Sequence, residues 1–267
     1  MLKLKRFLRP LGILASVLGV LALLGFVERT SLGMTIAGLD VRVTGAEGIH
    51  FLDEKDITDH VLDQGEAIMG ASIGEVDLPM IEQRLRNIPS VARAEVYHTM
   101  NGVLHVRVKQ REPVVRVFNQ DGSSFYIDRA GHTMPVQAGR SARVLVITGD
   151  VNEPDAAQSV RSVLANDSTM QHSLLDDIHR VALFIREDPF WNAMIDHATV
   201  TGNGEFELVP KVGSHRILIG DGTALPERFE KLRIFYAKGI AKADWRRYSQ
   251  LDLRFADQIV CTKRRTS

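Results

Sequence analysis

From Leu11 to Val27 the chain runs 17 residues without a charge (LGILASVLGVLALLGFV), and Ser16 is the one strongly polar side chain among them. As a helix this stretch covers about 25 Å, near the short end of what a bilayer-spanning segment needs. A cleaved signal peptide would have a shorter apolar region followed by a small-x-small site. Here the stretch ends Gly-Phe-Val-Glu-Arg-Thr, so the expectation is an uncleaved anchor. Lys3, Lys5, Arg6 and Arg9 precede the span, with no acid before Glu28. The positive-inside rule then places residues 1–10 in the cytoplasm and the rest of the chain outside it. No second window approaches this length, which predicts a single-pass protein with one large ectodomain.

The composition of that ectodomain narrows its class. The whole chain is 45% hydrophobic and 25% charged, the profile of a folded protein and neither a disordered nor a polytopic one. Cys261 is the only cysteine, so no intramolecular disulfide, thiolate metal site or Cys-x-x-Cys pair can form. Residues 28–267 hold 29 basic against 33 acidic groups. The one basic run there is Lys263-Arg264-Arg265, which argues against a nucleic-acid partner.

Residues 28–38 read as a connector, and alternation at Leu39, Val41 and Val43 opens the fold with a strand. Asp53 is placed to cap a helix carrying Ile57, Val61 and Leu62, ended by Gly65. Asp77 is placed to cap a second one, with Pro79 in its first turn. Its apolar residues Leu78, Ile81, Leu85 and Ile88 span an arc of about 80° at 100° per residue. Ala92, Ala94 and Val96 alternate before Asn101-Gly102, and Leu104, Val106 and Val108 after it, the pattern of a β-hairpin. This gives a β-α-α-β-β domain over 39–112.

Pro113 begins a second unit, 113–262, expected to be a mixed α/β domain with an extended antiparallel sheet, followed by a basic tail at 263–267. Strands are expected at Val115–Phe118, Phe125–Asp128, Met134–Val136, Val144–Thr148, Ala198–Val200, Glu205–Val209, Arg216–Ile219, Ser249–Phe255 and Gln258–Thr262. Helices are expected at Asp155–Leu164, at Leu174–Arg186 and from Pro226, where Phe229, Leu232, Tyr236 and Ile240 recur at helical spacing. The fold class is therefore α+β behind a single N-terminal transmembrane helix.

Several stretches match one family in order and spacing. Val41-Arg-Val-Thr-Gly45, Ile88-Pro-Ser-Val-Ala-Arg-Ala-Glu-Val96 and Val108-Lys-Gln-Arg-Glu-Pro-Val114 fall in the first domain. Phe125-Tyr-Ile-Asp-Arg-Ala-Gly131 and Tyr248-Ser-Gln-Leu-Asp-Leu-Arg-Phe255 fall in the second. Together they make the chain resemble the FtsQ/DivIB family of bacterial cell-division proteins, nearly end to end. The resemblance implies that the first domain is a POTRA domain and that the protein is a non-enzymatic divisome scaffold without cofactors. It also implies a place in the cell inner membrane with a periplasmic ectodomain. The implied partners are FtsB- and FtsL-type bitopic proteins and other divisome components. The implied role is to help position septal peptidoglycan synthesis, with no small-molecule substrate. The family's partner site falls on the closing region, here Tyr248, Arg254, Phe255, Asp257, Ile259 and Val260. The bare sequence allows two readings of that last strand. Its outer edge can receive a partner strand, with Ile259 and Cys261 on one face and Gln258, Val260 and Thr262 on the other, or the charged tail can protect it.

Two other function classes compete. POTRA-like domains also serve periplasmic chaperones and assembly factors, but these adjoin a β-barrel for which the second domain is too short and too helical. Gly70-Ala-Ser72-Ile-Gly74 matches a nucleophile-elbow pattern, with Asp176 and His179 following in hydrolase order. That motif needs a buried strand directly before the serine and a helix directly after it. Gly65 and a helix end stand before it instead, which favours a loop. His172, Asp176 and His179 share a helical face within about 60°, but three ligands opposite an apolar face read as solvated residues, and no metal is expected. At surface positions, alanine at Ser72, His172 or His179 would alter stability by less than about 1 kcal/mol. The remaining histidines, His50, His60, His98, His105, His132, His197 and His215, share no spacing. Trp191 and Trp245 flank helix ends, where core packing is the expected role. Retention of the anchor is testable by N-terminal sequencing of the mature protein. Residues before Leu11 should be present, and a start near Glu28 or Thr30 would show cleavage.

Overall fold

The computed structural model of the chain describes residues 16–22, 33–46, 48, 50–62, 68–164, 174–239 and 247–264. Of the span expected at Leu11–Val27 only 16–22 fall in this set; they are helical and exposed. No helix among the described residues is long and apolar enough to cross a membrane. The rest of that span, the tail at 1–10, His172, Gly65, Ile240 and Trp245 lie outside the described residues.

The chain divides into two units, Met1–Thr44 with Leu52–Gln110, and Gly45–Phe51 with Arg111–Ser267. The first contains β1 (Gly38–Thr44), α1 (Glu54–Leu62), α2 (Leu78–Arg86), β2 (Val91–His98) and β3 (Val103–Gln110). The sheet order is β1-β3-β2, with β1 parallel and β2 antiparallel to the central strand. Both helices start on aspartate caps. Asp53 and Asp56 exchange backbone-to-carboxylate bonds of 2.8 Å each, and the Asp77 carboxylate accepts from Met80 N–H at 2.9 Å. Ile57 and Val61 of α1 and Ile81 and Leu85 of α2 are buried in one core with Leu104, Val106 and Val108 of β3.

The hairpin needs a correction at its start. Val91, not Ala92, points inward, because a bulge between Val91 and Arg93 shifts the alternation by one residue before Ala94 and Val96 resume it. The turn comprises Thr99 to Gly102, and Gly102 has φ +78°. A Cβ there would lie 2.6 Å from the Thr35 carbonyl oxygen, so a side chain is excluded.

The second unit is built on a nine-stranded sheet. Its strands are β4 (Pro113–Phe118), β5 (Ser124–Asp128), β6 (Thr133–Pro135), β7 (Leu145–Gly149), β8 (Ile195–Val200), β9 (Phe206–Pro210), β10 (Arg216–Gly220), β11 (Tyr248–Asp252) and β12 (Val260–Lys263). They lie in the order β12-β11-β10-β9-β8-β7-β4-β5-β6. The sheet is mixed, which corrects the expectation of an extended antiparallel one: β4/β7, β7/β8 and β10/β11 are parallel pairs. The cause lies in the connections, since each of these pairs is joined by a crossover far too long for a hairpin. α3 (Leu175–Glu187) and α4 (Pro189–Met194) form the crossover from β7, and α5 (Leu225–Ile234) that from β10.

Three further expectations change. The helix expected at Asp155–Leu164 reduces to a 3-10 turn at Pro154–Ala157. The following backbone bonds to the β6 region instead: Thr133 N–H donates to Arg161 O, and Val163 N–H to Gly131 O. The Thr133 hydroxyl reinforces this by donating to Ser159 O at 2.7 Å and accepting from Arg161 N–H at 2.8 Å. α4 has no counterpart in the sequence reading. Asp188 caps it, accepting from Phe190 and Trp191 N–H, and Pro189 occupies its first turn. His179 is not on a solvated face. It is 5% exposed, because α3 buries Leu175, Ile178, His179, Val181, Ala182 and Ile185 against the sheet, and its Nε2 lies 3.3 Å from Arg129 O. Its replacement by alanine therefore belongs with buried sites, not surface ones.

Trp191, 1% exposed, meets Phe229 of α5 at 5.0 Å and Tyr236 at 6.3 Å between ring centroids, the core role expected of it. Tyr236 in turn meets His215, which stands just before β10 and is 2% exposed, with Nε2 2.7 Å from the Tyr236 hydroxyl oxygen. Burial pushes the tyrosine pKa well above its usual range and, with a smaller contribution from Arg264, lowers that of His215. The phenol thus stays protonated and shares a hydrogen bond with the imidazole.

Two measurements follow from these contacts. His215 has its ordinary pKa near 6.5 when unfolded and a lower one when folded. The unfolded chain therefore takes up the proton first as pH falls, so the stability from this group is full above the ordinary value and is lost through the lowered one. Denaturation at pH 7.5 and 5.5 should show a drop that is smaller in His215→Gln. Asp77→Ala should cost about 1 kcal/mol of stability by urea denaturation, the usual worth of a lost N-cap.

Candidate functional site

The closing region of the second unit is shaped by where β11 stops. Leu251 and Leu253 are buried, which draws this strand against the core beside β10, with Leu251 opposite Ile217. The last ladder bond runs from Leu253 N–H to Leu218 O at 2.9 Å. Arg254 then folds back. Its Nε and Nη2 grip Asp252 Oδ1 and Oδ2 at 2.9 and 2.6 Å, and its Nη1 reaches both Glu205 oxygens at 3.0 and 3.1 Å. From α5 the Lys231 ammonium donates to Leu253 O at 3.0 Å and also to Phe255 O. These contacts engage the backbone after Asp252, so β11 ends there, short of the Phe255 expected from the sequence; β12 starts at Val260 and not at Gln258.

The electrostatics follow from the same contacts. Hydrogen bonds from Arg254 hold the Asp252 carboxyl below the usual carboxylate range, and those carboxylates raise the already high guanidinium pKa. The group stays ionised on both sides through the neutral range, so the loop after β11 is clamped by charge-assisted bonds.

β12 pairs with β11 alone, antiparallel, with Val260 opposite Asp252, Cys261 opposite Leu251 and Thr262 opposite Gln250. Among the described residues nothing pairs with its outer edge. Ile259 and Cys261 pack on the core, while Val260, Thr262 and Lys263 are exposed. Burial raises the Cys261 thiol pKa, which favours its protonated form. Phe255 and Val260 are 47% and 40% exposed, large apolar side chains at the two ends of the loop leading into the edge.

Of the six residues expected to meet a partner, Arg254, Phe255, Asp257 and Val260 are accessible. Tyr248 and Ile259 turn toward the core, Tyr248 with its ring 6.4 Å from that of Phe235. Arg254 is engaged within the chain, so an incoming carboxylate would compete with Glu205. Lys231 was not anticipated, because it binds backbone carbonyls 22 and 24 residues away and carries no motif. Chemically, the arrangement offers main-chain donors and acceptors at strand spacing with apolar anchors beside them.

The residues of the hydrolase pattern fall in different units. Ser72 bridges to Thr35 and leads into a 3-10 turn, with a turn and no strand before it. It belongs to the first unit, while Asp176 and His179 belong to the second. Asp176 pairs with Arg180 at 3.2 Å. Among the described residues no cluster of three His, Cys, Asp or Glu side chains is arranged to hold a metal.

These features have counterparts in known proteins. The family model described as "FtsQ/DivIB, C-terminal related" matches residues 112–262, and one for a POTRA-like domain matches 36–109. The "Cell division protein FtsQ" of Rhodothermus marinus is 29% identical over 195 residues, spanning 72% of this chain and 67% of that relative. A three-stranded β-α-α-β-β unit, a mixed sheet that closes on a terminal edge strand, and a family match over more than half of the length agree: the chain belongs to the FtsQ/DivIB family of bacterial cell-division proteins.

Proposed function

We propose that this protein is a non-enzymatic scaffold of the division machinery, anchored in the inner membrane by the Leu11–Val27 span with its two folded units in the periplasm. It binds FtsB- or FtsL-type bitopic partners and helps position septal peptidoglycan synthesis. The observation that carries this reading is the outer edge of β12, left without a neighbour among the described residues. A partner segment adding there gains main-chain hydrogen bonds, and Phe255 and Val260 supply side-chain contact on the same rim. Lys231 and the Asp252–Arg254–Glu205 group hold the loop in place beforehand, which reduces the ordering cost of binding. Asp257 and the half-buried Tyr248 and Ile259 complete the surface, the last two by supporting it from beneath.

The test is a pull-down of an FtsB-type partner by the full chain and by three variants: truncation after Ala256, Val260→Pro and Phe255→Ala. Truncation should abolish binding, and Val260→Pro, which removes one backbone donor from the strand, should weaken it strongly. Phe255→Ala should cost about 2 kcal/mol, the scale of an aromatic interface anchor. If a variant that keeps the wild-type melting midpoint also keeps wild-type affinity, the contact lies elsewhere.

A further inference from the structure

We propose that a cleft beside the start of β7 and β8, in the second unit, binds a phosphate-bearing ligand. The cleft encloses about 560 Å³, and Arg143, Arg186 and Lys211 all line it together with the Asn192 amide. Its one acidic lining residue, Asp196, lies 3.3 Å from His197 Nδ1.

The charge state of the three cations sets this place apart. Arg111, Arg129, Arg180, Arg216, Arg228 and Arg233 of the same unit are each paired with a carboxylate. Among the described residues, Arg143, Arg186 and Lys211 have neither an ion pair nor a side-chain hydrogen bond. Like charges gathered around one concavity repel each other, and a bound anion converts that repulsion into attraction.

Their positions are set by backbone. Arg186 stands in the last turn of α3, Arg143 leads into β7, and Lys211 directly follows β9, with its N–H bonded to Met194 O at 2.8 Å. The walls between them are apolar: Leu145, Ile185 and Ile195. Guanidinium forks suit tetrahedral oxyanions, and two arginines with a lysine and an amide match the several oxygens of a phosphate or diphosphate. The apolar walls suit an organic group attached to it. Such a ligand can come from a phospholipid headgroup or from a free phosphate, and the two are distinguished by experiment.

The full chain, purified in detergent, is titrated calorimetrically with inorganic pyrophosphate and, separately, with glycerophosphoglycerol, the water-soluble headgroup of phosphatidylglycerol. Saturable binding of at least one probe is expected, weakening as salt is raised. Tighter binding of pyrophosphate assigns a free phosphate; tighter binding of the diester assigns a lipid headgroup. The triple variant Arg143→Gln, Arg186→Gln, Lys211→Gln should lose at least tenfold in affinity, while Arg143→Lys with Arg186→Lys retains saturable binding. Should the triple variant fail to keep the wild-type melting midpoint, the three single glutamine variants replace it, each expected to lose at least threefold. No saturable binding of either probe, or affinity within twofold of wild type in the folded glutamine variants, overturns the proposal.

Discussion

The second unit depends on the burial of Trp191. Its indole joins α4 to Phe229 of α5 and to Tyr236, and through Tyr236 to His215 at the start of β10. Aromatic rings contribute both a large apolar area and preferred edge-on geometry, and loss of such a residue from a core costs about 3–5 kcal/mol. What this contact fixes is the height and direction of α5. That helix carries Lys231, and Lys231 sets where β11 must stop. A chain of contacts thus runs from one indole to the shape of the β11–β12 rim, with each link a packing or hydrogen-bond constraint.

The parts of this architecture that sequence reading recovered are those whose cause is local. Asp77 three residues before Met80, and Asn101-Gly102 between two alternating runs, carry their conformations in their own chemistry. The two-residue period puts Ile259 and Cys261 on one face of the last strand, but that this face is the inward one is seen only in the structure. The misses have distant causes. The bulge at Val91 depends on how Gln110 and Lys109 sit across the ladder. The missing helix after Pro154 reflects competition from Thr133, more than twenty residues earlier. His179 is polar yet buried, because the face of α3 that meets the sheet includes it and Arg129 O lies 3.3 Å from its Nε2. Asp188-Pro189 is a local start signal, but the helix that it opens is only six residues long, too short for an apolar period to show. Parallel pairing in the large sheet is a property of the crossovers, which a residue-by-residue pattern does not contain.

The candidate site divides in the same way. The edge position of β12 is a property of the sheet order, while Phe255 and Val260 stand out in the sequence as large apolar residues there. The self-contained grip of Arg254 on Asp252 and Glu205 was not visible, since Glu205 is 49 residues away. The internal pairing changes the meaning of the arginine: it braces the loop from within the chain, and its exposed portion is secondary.

The parallel joining of β10 to β11 also orders events in time. A parallel pair cannot zip up from a tight turn, so β11 must wait for the whole 221–247 crossover to be made and for α5 to settle on its aromatic bed. Among the described residues β12 pairs with β11 alone, so it joins the sheet through β11. The docked rim therefore depends on the joint between β10 and β11 and on the helix that crosses between them. Strand addition at this rim, as proposed above, would thus require a copy in which that joint is already made.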